Sequence, residues 1–403
     1  MRMVSESTEG QRAVTRRGLL GAGLALTLAG CNSTGVEMPD LGSTAPSPQP
    51  TPSPPRPTVG ETLGSGPVRV GMILPLTQNS APSPVGMSMR NAAQLAIDEF
   101  SGPYVTLMIE DDRSTPEGAA QAAQAELGAG AELLLGPVYA TGVRQAASVA
   151  KAASKPMIAF STDVGVASPG VYLLSFLIEG YVDRIAQFAV SRGKKTFAVM
   201  APQSEYGNIA VAEFQQTVGR LNAPVAVVAR YAPGDAQSAA RQVATAGGQI
   251  DALFIPEQAD GMPAIATALA ANGVKTQLLG TGVWNDARVL RLPQLQGAWF
   301  AAPDNAGFNA MAQRYKAKFG GEPTRLATLS YDAVTLAAAL GRNAAETERY
   351  GPAALTSVSG FNGADGVFRF RADGTNERGL AVMEIEDNAA TVISPAPRSF
   401  AAG

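Results

Sequence analysis

From residue 68 onward the chain alternates short β-branched apolar runs with Ala-rich stretches of helical period, and no other feature restricts its fold as strongly. The run VRVGMIL at 68–74 ends in Pro75 and reads as a buried strand. Residues 88–100 carry Ala92, Leu95, Ala96 and Phe100 at helical spacing, and 105–110 (VTLMIE) form the next strand. Thr115-Pro116-Glu117 opens a helix with an N-cap hydroxyl and Pro at the first helical position. Strand 132–135, a Gly136-Pro137 turn, helix 143–153 and strand 156–161 follow. The order then repeats, with helices at 181–192, 209–221, 236–246 and 262–272 and strands at 196–200, 225–231, 252–255 and 277–280. Such alternation predicts parallel sheets with right-handed crossovers, here as two α/β lobes in tandem. Ligands of such sheets bind at the carboxyl ends of strands. Those ends are the loops 76–78, 111–114, 136–141, 161–163, 201–207, 257–260 and 281–286.

Composition removes much of ordinary enzymology. The 403 residues include no histidine and one cysteine. That excludes His-dependent triads, His–metal sites, an internal disulfide and a Cys-cluster zinc site. Net charge is 31 − 34 = −3 with no run of Lys or Arg, so nothing suggests a nucleic-acid partner. There is no Walker loop, no G-x-G-x-x-G after a strand and no G-x-S-x-G. Ser148-Val149-Ala150-Lys151 forms an S-x-x-K, but inside an Ala-rich helix and without its usual partner motifs. The expectation is a non-enzymatic protein without cofactor or metal.

The N-terminus reads as an address. Arg16-Arg17 precede a weakly apolar stretch, 18–30, too short to span a bilayer but suited to a signal peptide. Thr15-Arg16-Arg17 with Leu19-Leu20 looks like a twin-arginine export signal. Leu28-Ala29-Gly30-Cys31 looks like a lipobox, which makes Cys31 the lipid attachment point and the first residue after cleavage. Asn32 in the following position weakly suggests the outer membrane over the inner. Residues 31–66 contain eight prolines between Pro39 and Pro57 and read as a Pro-rich tether.

The stretches MILPLT…MRNAAQLAIDEF, EDDRSTPEGAAQAAQAELGAGAELLLGPV and KPMIAFSTD resemble the first lobe of type I periplasmic binding proteins, whose best-known members bind Leu, Ile and Val. SEYGNIAVAEFQ, IDALFIPEQADGMPAIATALAANGV and YDAVTLAAAL resemble the second lobe and the returning helix. Phe160-Ser161-Thr162-Asp163, Val171-Tyr172-Leu173-Leu174 and Leu279-Gly280-Thr281 with Trp284-Asn285-Asp286 are similar to the LpoA/YraM-type lipoproteins, some of which activate penicillin-binding peptidoglycan synthases. The resemblance implies two Rossmann-like three-layer lobes joined by a three-crossing hinge that closes on a ligand. The crossings would fall near 174–180, 300–304 and 343–351. That gives lobe 1 as 67–178 plus 304–345, lobe 2 as 179–303 plus 346–393, and a tail at 394–403.

In this family Ser/Thr hydroxyls and backbone N–H groups hold a ligand carboxylate, a lobe-two acid pairs with the ammonium, and a Tyr covers the ligand. Carried onto this chain, the candidates are Tyr139, Thr141, Ser161, Thr162, Tyr206, Asp260 and Trp284. Two departures stand out: Ala140 occupies the place of a ligand-binding Ser, and Gly261 that of the acid, with Asp260 adjacent. Each candidate also has a plainer reading. Thr141 and Ser161 suit helix caps or turns, Tyr206 a rim aromatic, and Trp284 a cleft platform or a core residue equally. Asp111-Asp112 read as a turn and cap before the Thr115 helix, and Asp332 as a structural residue of the returning helix. Two roles remain open. One is a solute-binding lipoprotein serving an ABC importer for amino acids or another small polar ligand, with the ligand and an ABC permease as partners. The other is a tethered activator of a peptidoglycan synthase.

Overall fold

The computed structural model describes residues 60–400 apart from 101, 233, 344, 346 and 347. The signal region, Cys31 and the tether up to residue 59 lie outside the described residues. Those that are described fall in one compact unit.

The first lobe is built on β1 (Glu61–Gly64), β2 (Val68–Leu74), β5 (Val105–Asp111), β6 (Leu133–Leu135), β7 (Met157–Ala159) and β8 (Val171–Leu173); the short β3 (Thr77–Gln78) and β4 (Ala81–Pro82) make a hairpin beside it. The sheet order is β1-β5-β2-β6-β7-β8, parallel except for β1. The period-2 logic of a strand buried on both faces is visible in β2. Val70, Met72 and Leu74 face one core with helices Pro84–Glu99 and Ala327–Asn343, while Ile73 faces the other with helices Pro116–Gly128 and Ala140–Ala152. The lobe is therefore three layers. Gly71 makes room beneath helix Pro116–Gly128 for Glu126, whose Oε1 accepts from the Met72 N–H at 2.8 Å. Burial holds that carboxyl well above the ordinary range.

The second lobe uses β9 (Phe197–Pro202), β10 (Val225–Tyr231), β11 (Ala252–Phe254), β12 (Gln277–Gly280) and β13 (Trp299–Ala302), in the order β10-β9-β11-β12-β13 and all parallel. Phe197, Val199 and Ala201 face helices Ile178–Ser191 and Glu205–Arg220, and Ala198 and Met200 face helices Ala236–Thr245 and Met262–Ala271. In both lobes the five parallel strands run second-first-third-fourth-fifth. The switch points, where a crevice opens at the carboxyl ends, lie between β2 and β6 and between β9 and β11.

The chain leaves lobe 1 after β8 and returns after β13, where helix Asn305–Phe319 packs Met311 and Tyr315 against Ala92 and Leu95. The third crossing differs from the expected 343–351. Tyr350, Leu355, Phe368 and Phe370 all belong to the lobe-1 core, and Phe370 lies 5.4 Å from Tyr172, centroid to centroid. The small sheet β14 (Phe361–Gly363), β15 (Gly366–Phe370) and β16 (Asn376–Arg378) stays with that lobe because its aromatic side chains are buried there. Only at 379–380 does the chain cross to β17 (Ala381–Glu386), antiparallel to β13, and β18 (Ala389–Ser394). Residues 348–378 thus belong with lobe 1 and not lobe 2. Two edges shift as well. Residues 61–64, counted with the tether, pair with β5, and in the expected tail the Phe400 ring sits 4.5 Å from the Arg369 guanidinium.

Among the described residues no helix is long and apolar enough to cross a membrane, and no group of three acidic or thiol side chains could hold a metal ion.

Candidate functional site

A cavity of about 570 Å³ opens between the lobes, walled by both and floored by two of the crossings. Lobe 2 contributes Tyr206 from the first turn of helix Glu205–Arg220, where Ser204 caps the helix by accepting from the Gly207 N–H at 3.1 Å. The Tyr206 hydroxyl bonds Thr281 Oγ1 at 2.6 Å, and burial pushes the phenol up to about 12. Beside it stands Tyr181, whose ring packs so close to Gly282 that a Cβ there would lie 2.6 Å from ring carbons. Burial also raises the Tyr181 phenol. Both tyrosines are therefore neutral hydroxyls at any physiological pH.

The floor is Phe176, on the first crossing. Two guanidinium groups, those of Arg325 and Arg378, each lie 4.8 Å from its ring centroid. Arg325 also lies 4.7 Å from the Phe308 ring, and its two Nη atoms donate to the carboxylate of the fully buried Asp365 at 2.8 and 2.5 Å. Arg378 Nε and Asn376 Nδ2 both donate to the Ser175 carbonyl, at 3.0 and 2.8 Å, tying the third crossing to the first. Asp332 completes this cluster. Burial outweighs the attraction of Arg378 and raises its carboxyl to about 7, while Oδ1 accepts from the Ala364 N–H at 2.6 Å.

The remaining wall carries amides. Asn285 Nδ2 donates to Asn305 Oδ1 at 2.8 Å, from the loop after β12 to the start of the helix after the second crossing. Gln258 and Asn309 line the cavity from lobes 2 and 1. Asp286 is the one lining carboxylate among the described residues; it accepts from the backbone N–H of Arg288 at 2.8 Å, and from Nε and Nη2 of the same residue at 3.0 and 2.8 Å. Arg288 holds that carboxyl below its ordinary value.

Of the sequence candidates, Thr162 and Tyr206 line this cavity. The other five do not. Asp260 is on the surface, its side chain 82% exposed and paired with Arg288. Trp284 is fully buried in the lobe-2 core, its ring stacked over Gly280, where a Cβ would come within 2.1 Å. The core reading therefore prevails over the cleft platform. Ser161 is buried and its Oγ accepts from the Asp163 N–H at 3.1 Å, a turn role. Tyr139 sits exposed at the N-cap of helix Ala140–Ala152, and Thr141 is exposed on its first turn. Missing from the expectation were Phe176, Tyr181, Phe308, Arg325 and the amides. Gln258, Asn285 and Asp286 do lie in strand-end loops that the alternation marks as ligand-facing, but Phe308 and Arg325 carry no local signal. A smaller cavity, about 410 Å³, opens at the amino ends of β7 and β8 beside Lys151, Lys155 and Tyr350, far from either switch point.

An inter-lobe cavity at two facing strand-end crevices defines a two-lobed binding protein. A family model described as periplasmic binding protein matches residues 67–390, and the chain belongs to that family. Among solved structures, a putative branched-chain amino acid ABC transporter protein from Rhodospirillum rubrum superposes with a TM-score of 0.73 at 20% identity, over 81% of this chain and 99% of that one. A branched-chain amino acid ABC transporter periplasmic ligand-binding protein from Burkholderia xenovorans gives 0.67 at 18% identity, covering 82% and 96%. A solute-binding protein of an ABC transporter from R. palustris, in complex with benzoate, gives 0.57 at 19% identity, covering 84% and 98%. No curated protein matches the chain. At these identities the likeness establishes the fold, a type I periplasmic binding protein.

Proposed function

We propose that this protein is the solute-binding component of an ABC-type importer, a non-enzymatic lipoprotein held in the periplasm by Cys31, that captures a small ligand between its lobes. The observation that carries this reading is the cavity itself. It lies at the carboxyl ends of both parallel sheets, draws Thr162 from one lobe and Tyr206 from the other, and has crossings for a floor, so that closure of the lobes would enclose a ligand. Family membership supports it, as do neighbours whose structures contain Leu, isoleucine or benzoate. A cavity of about 570 Å³ is within the range of small-molecule sites.

A ligand that binds only the folded state stabilises it by mass action, about 2.7 kcal/mol at a hundredfold excess over Kd. The test is a thermal-shift screen of the full chain against a solute library of amino acids, carboxylates, sugars, heterocycles and peptidoglycan fragments. At least one solute should raise Tm, and Tyr206→Ala should reduce the shift. If no solute of any class raises Tm, the transport reading falls and the synthase-activator reading takes its place.

A further inference from the structure

An amino-acid zwitterion brings two charges into the cleft, and each needs a partner there, because an unpaired charge in a water-poor site is costly. Hydroxyls such as that of Thr162 could hold the carboxylate, but among the described residues no lining carboxylate is unengaged for the ammonium. The lining carboxylate, Asp286, already accepts three hydrogen bonds from Arg288, and Asp260, the other acid on Arg288, points into solvent. The lining cation, Arg325, donates both Nη groups to Asp365 and has the rings of Phe176 and Phe308 within 5 Å. Both lining charged side chains are thus already engaged in ion pairs within the protein.

What is left free is of a different kind. The side-chain amides of Gln258 and Asn309 line the cavity and make no hydrogen bond to another described residue, and they approach from opposite lobes. A carboxamide presents a donor and an acceptor side by side, the pattern that pairs two-pronged with the edge of a heterocycle. The rings of Phe308, Tyr181 and Tyr206 also line the cavity, and aromatic side chains of this kind stack on planar rings. Resting on the binding role above, we propose that the cavity takes an uncharged planar heterocycle with amide-type edges, a nucleobase or nucleoside, and not a zwitterionic amino acid. Gln258 and Asn309 grip its edges from the two lobes, and the aromatic walls hold its faces.

Calorimetric titration of the full chain with uracil, uridine, adenine and adenosine, beside leucine, glutamate and benzoate, tests this. At least one heterocycle should bind with an affinity insensitive to salt, because no ion pair forms. Gln258→Ala and Asn309→Ala should each weaken it about tenfold, the loss of roughly one well-made hydrogen bond. Both side chains are exposed, so the variants should melt with the wild type, confirming that they fold. Binding of leucine or glutamate without any heterocycle overturns the ligand class and leaves the binding role standing. So does a heterocycle whose affinity neither variant alters, or a solute-library hit from another class alone. Silence of the whole library removes the binding role as well.

Discussion

The hydrogen bond between Tyr206 and Thr281 can be dissected quantitatively. Thr281 is fully buried and its hydroxyl meets the Tyr206 hydroxyl at 2.6 Å. Tyr206→Phe keeps the ring but leaves the Thr281 hydroxyl buried with no partner there, a loss of about 1–3 kcal/mol. Thr281→Val removes the other partner, but the orphaned phenol stands on the cavity wall, where water can reach it. Its cost should lie at the low end, about 1 kcal/mol. The double variant replaces both hydroxyls by apolar groups of similar shape and should be no less stable than Tyr206→Phe alone, a coupling energy of about 1–2 kcal/mol. Urea unfolding of the four proteins, followed by the fluorescence of Trp284 and Trp299, both in the same lobe, measures all the terms. Additive losses, or a Tyr206→Phe variant as stable as wild type, would refute the reading that the two hydroxyls satisfy each other in a buried setting.

Asp332 and Asp112 are buried carboxyls that desolvation raises to about 7 from an ordinary 3.8, so the folded state binds more protons than the unfolded between those values. Stability should therefore fall as pH rises from about 4 to about 7 and level off above, by on the order of 2–4 kcal/mol for each group. Asp332→Asn, which keeps the acceptor for Ala364, should flatten its share of that slope in denaturant titrations across the window. Gly280→Ala drives a methyl into the buried Trp284 ring and should cost about 1–3 kcal/mol or more in chemical denaturation, with the tryptophan emission shifted. Asp260→Ala should leave both ligand affinity and stability unchanged, within about 0.5 kcal/mol, because the side chain is solvated and outside the cavity. A tenfold loss of affinity there would restore it as a binding residue.

The lobes were legible because their signals are local. β2 (VRVGMIL), Thr115-Pro116 and the Ala-rich helices each declare themselves within a window of a few residues, and their alternation leaves few topologies. The Thr115 cap appears as expected, its Oγ1 accepting from Gly118 N–H at 3.0 Å. The third crossing was misplaced because β14 to β16 are short strands whose partner is Tyr172, nearly two hundred residues earlier, and no local pattern reports which lobe covers Phe368 and Phe370. The site divides in the same way. Tyr206 and Thr162 sit in strand-end loops, where the rule for parallel sheets directs attention, whereas Arg325, Phe308 and Phe176 converge only through the crossings. Trp284 shows the opposite error. It lies in a ligand-facing loop, yet Gly280 leaves space beside it and the ring turns inward to the core.

The binding role requires a ligand in the inter-lobe cavity. Asn309 is exposed on that wall, so Asn309→Trp should fill the space without disturbing either core. Calorimetric titration of wild type and this variant with the solute that most stabilises the protein is the decisive comparison. Wild type should bind one equivalent and the variant none, with both melting alike. A variant that folds and binds as tightly as wild type would place the ligand elsewhere and contradict the account.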